Sequence, residues 1–268
     1  SSDLLTMAGD ATVQATNSSA RLAAVGNVTL GNVTAANVSV VSTGGAIVNA
    51  AGSTKNVTAT NLRLQADDAI GAANNHITTS VATVTAKSTG TDSAGVYISE
   101  DTGITVDTVS VSVTEFTSTA GTSGVTDAKQ SDLSTGNNGN IVLRTVNGSI
   151  TLNDGAAVAG AGEYNVAGAA VSANGSGNVL LDAGDTNATK VADVNINSDV
   201  TSSTGHITIK AADAILVGSA TATGVDIKTA TGGTISLSAG GVLTMAGDAT
   251  VQATGSSARL AAVGNVTL

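Results

Sequence analysis

Gly177-Asn178-Val179-Leu180-Leu181, Gly205-His206-Ile207-Thr208-Ile209 and Gly233-Thr234-Ile235-Ser236-Leu237 share one pattern: glycine, a polar residue, then alternating aliphatics. Alternation with period two is the mark of a strand with one face buried. The three glycines recur at a constant interval along the chain. Equal spacing of equal strands asks for an architecture in which each copy meets the next in the same way.

The pattern extends in both directions. Gly26-Asn27-Val28-Thr29-Leu30, Gly139-Asn140-Ile141-Val142-Leu143, Gly148-Ser149-Ile150-Thr151-Leu152 and Gly264-Asn265-Val266-Thr267-Leu268 fit it. From Gly148 through Gly177, Gly205 and Gly233 to Gly264 the steps are nearly even. Shorter alternating runs fill the intervals: VSVV from Val38, AIVNA from Ala46, VATVTAK from Val81, ITVDTVSVSV from Ile104, VNINSDV from Val194 and VDIKTA from Val225. Gly, Ser, Thr, Asn and Asp separate them, as corners require, and the motif glycine is read as supplying backbone freedom there. No helical periodicity of useful length appears; the Ala-rich run near Glu163 is interrupted at Gly168.

Parallel strands without crossover helices can be stacked by coiling the chain, each turn on the last. The expected fold is therefore all-β: a parallel β-helix, or β-solenoid, with the usual right-handed coil. A thin aliphatic interior accounts for two Tyr, one Phe and no Trp, and the absence of Pro spares the hydrogen bonds between coils.

A longer repeat encloses the short one. Leu5–Leu30 returns at Leu243–Leu268 with one change, Asn17 to Gly255, and the distance from Met7 to Met245 sets a 238-residue period. Residues 1–268 are read as one continuous segment: one period plus the opening stretch of the next, through Leu268. Seven or eight coils fill a period at roughly 28–34 residues per coil, within the range of solenoid repeats. Residues 114–138 lack clean alternation and are expected to leave the coil as a loop. Phe116, Asp127, Lys129 and Asp132 are its candidate interaction residues.

Chemistry is sparse. A net charge of −10 and a pI near 4.3 argue against nucleic acid as a partner. There is no Cys, and no apolar stretch is long enough to span a bilayer. His76 and His206 stand far apart, the latter at the polar position of the strand motif. No residue pattern marks a catalytic or cofactor site. Acidic residues at corners, Asp67, Asp68, Glu100, Asp101, Asp182 and Asp185, are the candidates for surface Ca²⁺, although the glycine-aspartate nonapeptide of calcium-binding β-rolls is missing. Nine Asn-x-Ser/Thr sequences begin at Asn17, Asn27, Asn32, Asn37, Asn56, Asn147, Asn174, Asn187 and Asn265; corner and outward-strand preferences account for them.

The GNVTL, GNIVL, GSITL and GHITIKAADAILVG segments, with the STGGAIVNAAG corner, resemble the repetitive shafts of bacterial filamentous-haemagglutinin-like exoproteins and other giant surface adhesins. That resemblance implies a non-enzymatic fibre outside the bacterial cell, displayed at its surface for attachment, aggregation or biofilm. Its expected partners are adjacent repeats or identical subunits stacked end to end, and glycans or proteins of a host or neighbouring cell. No functional residue of the family maps onto this chain. Two alternatives stand beside it: a glycan- or protein-binding module using 114–138, and a polysaccharide-active β-helix enzyme.

Overall fold

The computed structural model describes residues 3–90, 94–155, 168–186, 188 and 191–268. Every regular element among them is a strand. One hairpin apart, the strands pair in parallel with the coil before and the coil after, so the chain is a parallel β-helix. Among the described residues no helix is long and apolar enough to cross a membrane.

Three ladders of inward-pointing residues define the coils. Ladder I stacks Leu5, Val28, Ile47, Ile70, Val96, Ile141, Val179, Ile207, Ile235 and Ala258. Ladder II stacks Ala20, Val38, Leu62, Val84, Val106, Leu152, Ile196, Val217 and Met245. Ladder III stacks Leu22, Val40, Leu64, Ala86, Leu133, Val171, Val200, Ile227 and Val251. Most of these side chains are fully buried in one continuous aliphatic core. Each such burial is worth about 1.5–3 kcal/mol, realised only when a neighbouring coil covers it.

Coil length is less uniform than the glycine spacing implies. The step along ladder I from Val28 to Ile47 is less than half the step from Val96 to Ile141. The early coils are short because Asn32–Ser42, Val57–Ala66 and Ile77–Ser88 run straight through ladders II and III. Later coils break that path into separate strands, such as Val194–Ile196 and Asp199–Ser202. Two motif glycines also belong to a different ladder from the rest: Gly148 and Gly264 precede Ile150 and Val266, which stack on ladder II.

Four of the motif glycines are needed for closeness rather than flexibility, whereas Gly148 has a positive φ of 148°. Gly139, Gly177, Gly205 and Gly233 are not among the residues with positive φ. A Cβ on any of them would lie 2.0–2.1 Å from a carbonyl oxygen of the coil beneath. Beside this glycine column runs a polar row. Asn140 Oδ1 accepts from the Asn178 amide (2.8 Å), Asn178 Oδ1 from the His206 amide (2.8 Å), and His206 Nδ1 from the Thr234 amide (3.0 Å). Buried hydroxyls close the turn from ladder III back to ladder I: Thr135 donates to the Gly139 carbonyl and Thr229 to Gly233, while Ser202 accepts from the Gly205 amide and donates to the Gly177 carbonyl of the coil beneath.

The two copies of the duplicated sequence occupy different sides of the coil. Leu5 lies on ladder I, eight coils before Ile235, whereas its counterpart Leu243 lies one strand beyond Ile235, stacked on Ile215 in ladder II. Arg21, between Ala20 and Leu22, faces outward beside Ser39; its counterpart Arg259 faces outward on the ladder I side, beside Ser236. One period therefore spans eight coils and one further strand. The single difference, Asn17 or Gly255, falls in both copies on a left-handed residue (φ 56° and 69°) that turns a corner.

Candidate interaction surfaces

The expected loop is an ordered arm. Val109–Phe116 pairs antiparallel with Thr122–Gln130, with a bulge between Val109 and Val111. The arm begins after Val106, earlier than position 114. Leu133–Thr135 has already rejoined ladder III, so residues 133–138 belong to the shaft. Alternation in VSVSV looks the same in an arm as in a coil, which is why the sequence places this stretch in the shaft.

The arm does not project freely. It lies back across the first four coils, against the outward column Arg21, Ser39, Arg63 and Thr85. Arg21 Nε donates to Asp127 Oδ2 at 2.9 Å. Arg63 Nε donates to the Ala128 carbonyl (3.1 Å), and Gln130 Nε2 to the Leu64 carbonyl (2.8 Å). Thr85 donates to the Asp132 carbonyl at 2.9 Å, and Asp132 Oδ2 accepts from Ser131 at 2.6 Å. Ser39 and Thr85 are wholly covered, and Arg63 retains 6% exposure. Burial pulls the Arg63 guanidinium below its usual pKa, opposed by the nearby Asp127 charge. Burial alone would raise Asp127, but the Arg21 hydrogen bond and the charges of Arg21 and Arg63 hold it below the ordinary carboxylate value.

Contact is confined to the base of the arm. Val109, Val111 and Gln130 are buried. Glu115 and Ser123 pair with one another on the same side of the hairpin as Val111 and Val113, yet both are exposed. Phe116, near the tip, is 77% exposed. Of the four candidate interaction residues, Asp127 and Asp132 hold the arm down, while Phe116 and Lys129 face solvent.

A shallow groove of about 580 Å³ runs along the outside of ladder I over coils five to eight. Its floor is the outward column Tyr97, Val142, Leu180 and Thr208. Asn140, Asn178 and His206 form one wall; Lys210 stands on the other, in the outward column Arg144, Asp182, Lys210. The Gly71–His76 excursion overhangs one end, with the His76 ring 6.0 Å from that of Tyr97. Burial, and more weakly the charge of Arg144, lower the pKa of His76 against a hydrogen bond with Ala73. His206, read as a corner residue, is a rung of the polar row.

The acidic corner residues have separate structural partners. Asp67 accepts from Thr89 (3.1 Å) and Asp68 from the Ala69 amide (2.9 Å). Glu100 is fully buried, its two oxygens taking hydrogen bonds from Thr79, the Val81 amide and Thr102. Asp101 pairs with Lys55. Asp182 stacks between Arg144 and Lys210, and Asp185 bridges to Asn147. Among the described residues no three His, Asp or Glu side chains converge on a metal position. Asn56 of the Asn-x-Thr set is buried, donating to the Leu30 carbonyl at 2.8 Å, so a glycan has no access to it; Asn187 lies outside the described residues.

No protein-family model, curated protein or solved structure matches this chain.

Proposed function

We propose that this chain is a shaft segment of a long bacterial surface fibre, in which 238-residue repeats stack end to end and the work done is reach and rigidity. The observation that carries the reading is the return of Leu5–Leu30 as Leu243–Leu268 within one uninterrupted set of ladders. The last coil presents to whatever follows the same sequence that the first coil presents to Gly31 and beyond. Repeat number then sets length, at about 4.8 Å per coil, or on the order of 40 Å per repeat. The acidic balance keeps neighbouring fibres apart. Buried polar groups such as Glu100 and Asp132 serve the framework, and the reading assigns no turnover to them.

The test is the length of engineered fibres. Chains with one, two and three repeats, imaged by electron microscopy, should form straight rods whose length grows by that increment per repeat. Beads joined by bends at each 238-residue boundary would sink the proposal.

A further inference from the structure

The arm and the groove belong to one track. The arm runs down the outward column Thr85, Arg63, Ser39, Arg21 toward the first coil. Gln130 is held beside Leu64 and Thr85, and Asp127 reaches Arg21. Five further residues separate Asp127 from Thr122, which at about 3.3 Å each carry the arm roughly three coils farther along the axis. Among the described residues no coil lies there, and the inner-side residues Glu115 and Ser123 are exposed.

The second copy of the duplicated sequence tells what lies there in an array. Arg259 is the counterpart of Arg21, and beneath Arg259 the outward column continues as Ser236, Thr208 and Leu180. Those last two residues belong to the floor of the groove. The offset of eight coils plus one strand is what brings this about, since it sets the ladder I face of one repeat in line with the arm-bearing face of the next.

We propose that the groove receives the distal half of the arm from the following repeat, so that each arm staples its own repeat to the one before it. This rests on the tandem reading above. Glu115, paired with Ser123 four residues past Asp127, reaches between about two and three coils beyond Arg259, between the strands that carry Lys210 and Asp182, and Lys210 is the opposite charge within its reach. Val113 and Val125, half-covered on the inner side, come down over Arg259 and Ser236. Arg259, exposed here, gains the Asp127 carboxylate of the following repeat, as Arg21 has its own.

A chain in which residues 31–268 follow a second time after Leu268 tests this. One variant carries Glu115→Cys in the second repeat and Lys210→Cys in the first. Another carries Ser123→Cys and Thr208→Cys in the same repeats and leaves the charge pair in place. Under mild oxidation at least one variant should form its disulfide about tenfold or more faster than the reversed pairing, with the arm of the first repeat and the groove of the second. The reversed pair is an internal control, because the first arm points away from the second groove. A continuous rod in which neither variant cross-links preferentially overturns the staple alone. A rod broken at the repeat boundary overturns the tandem reading with it.

Discussion

Arg21 in the first coil and Asp127 in an arm that leaves the shaft four coils later meet at 2.9 Å. The pair joins distant parts of the chain and is half-sheltered from solvent. Because Asp127 titrates below an ordinary carboxylate, its docking contribution is complete above the unfolded value, near pH 4, and is lost as pH falls through the lower folded value. Asp127→Asn should loosen the arm at its Arg21 contact at neutral pH, while the Arg63–Ala128 and Gln130–Leu64 bonds stay in place. Hydrogen exchange at residues 109–130 should rise, while the ladder amides and the melting temperature of the shaft stay in place. Loss of shaft protection in the same variant would contradict the independence of arm and coil.

The boundaries of the arm make a second test. Replacing 110–129 by a short turn should leave the parallel ladders intact, at the cost of exposing Arg63 and Ser39. A deletion extended to residue 138 also removes Leu133, the fully buried ladder III rung between Ala86 and Val171. That longer deletion should lose several kcal/mol, since removing a buried Leu costs about 2–5 kcal/mol before the lost strand is considered. Chemical denaturation of the two variants compares them directly.

The glycine column predicts a sharp contrast between residues of one type. Gly205→Ala drives a methyl to within 2.0 Å of the Gly177 carbonyl, and the backbone of the coil beneath must give way. Gly247→Ala meets nothing within 4 Å and has no positive φ. The first should cost about 3 kcal/mol or more, and the second should be close to neutral. Equal effects in urea melts would refute the view that these glycines exist for close stacking.

How much of this is open to a reader of the sequence follows from the range of the interactions. Ile207 and Ile235 stack because like strands recur at an even interval, and that regularity stands in the letters. Ile70 joins ladder I through single bridges flanked by Ala69 and Gly71, with no alternating run to announce it. The arm is hidden for another reason. Val109, Val111 and Val113 alternate as a shaft strand does, and what distinguishes them is the partner chosen, a nearby antiparallel strand. The candidate surface is less legible still. Arg63 and Ala128 are far apart in the chain, and Leu180 and Thr208 gain meaning only through the ladder offset. Charge singles out Asp127 and Asp132 in the sequence, but only the fold shows that both hold the arm to the shaft.

His206 sits where its neighbours in the polar row are Asn and Thr. Its Nδ1 accepts from the Thr234 amide, so the ring carries its proton on Nε2. His206→Asn should preserve the acceptor, as Asn178 does for His206 itself, and leave stability within about 0.5 kcal/mol. His206→Leu removes the acceptor beside an amide that sits at the surface, and should cost about 1 kcal/mol. Urea melts of the two variants compare them directly, and equal losses would show that the acceptor at this position carries no stability.

Asp199 supplies the opposite sign to Asp127. Burial, with the neighbouring charge of Asp226, raises its pKa, against the hydrogen bond it accepts from the Asp226 amide at 2.7 Å. A raised carboxyl favours the protonated folded form, so its destabilising effect appears as pH rises through the unfolded value and is complete above the folded one. Asp199→Asn keeps an acceptor for the Asp226 amide and removes the charge. It should therefore raise the melting temperature at pH 7, modestly because the group is partly solvated, and the gain should fade toward pH 3. Thermal melts of the two proteins across that interval decide the matter: a gain that is constant with pH would place the benefit in packing and leave the carboxylate pair at Asp199 and Asp226 without a role in stability.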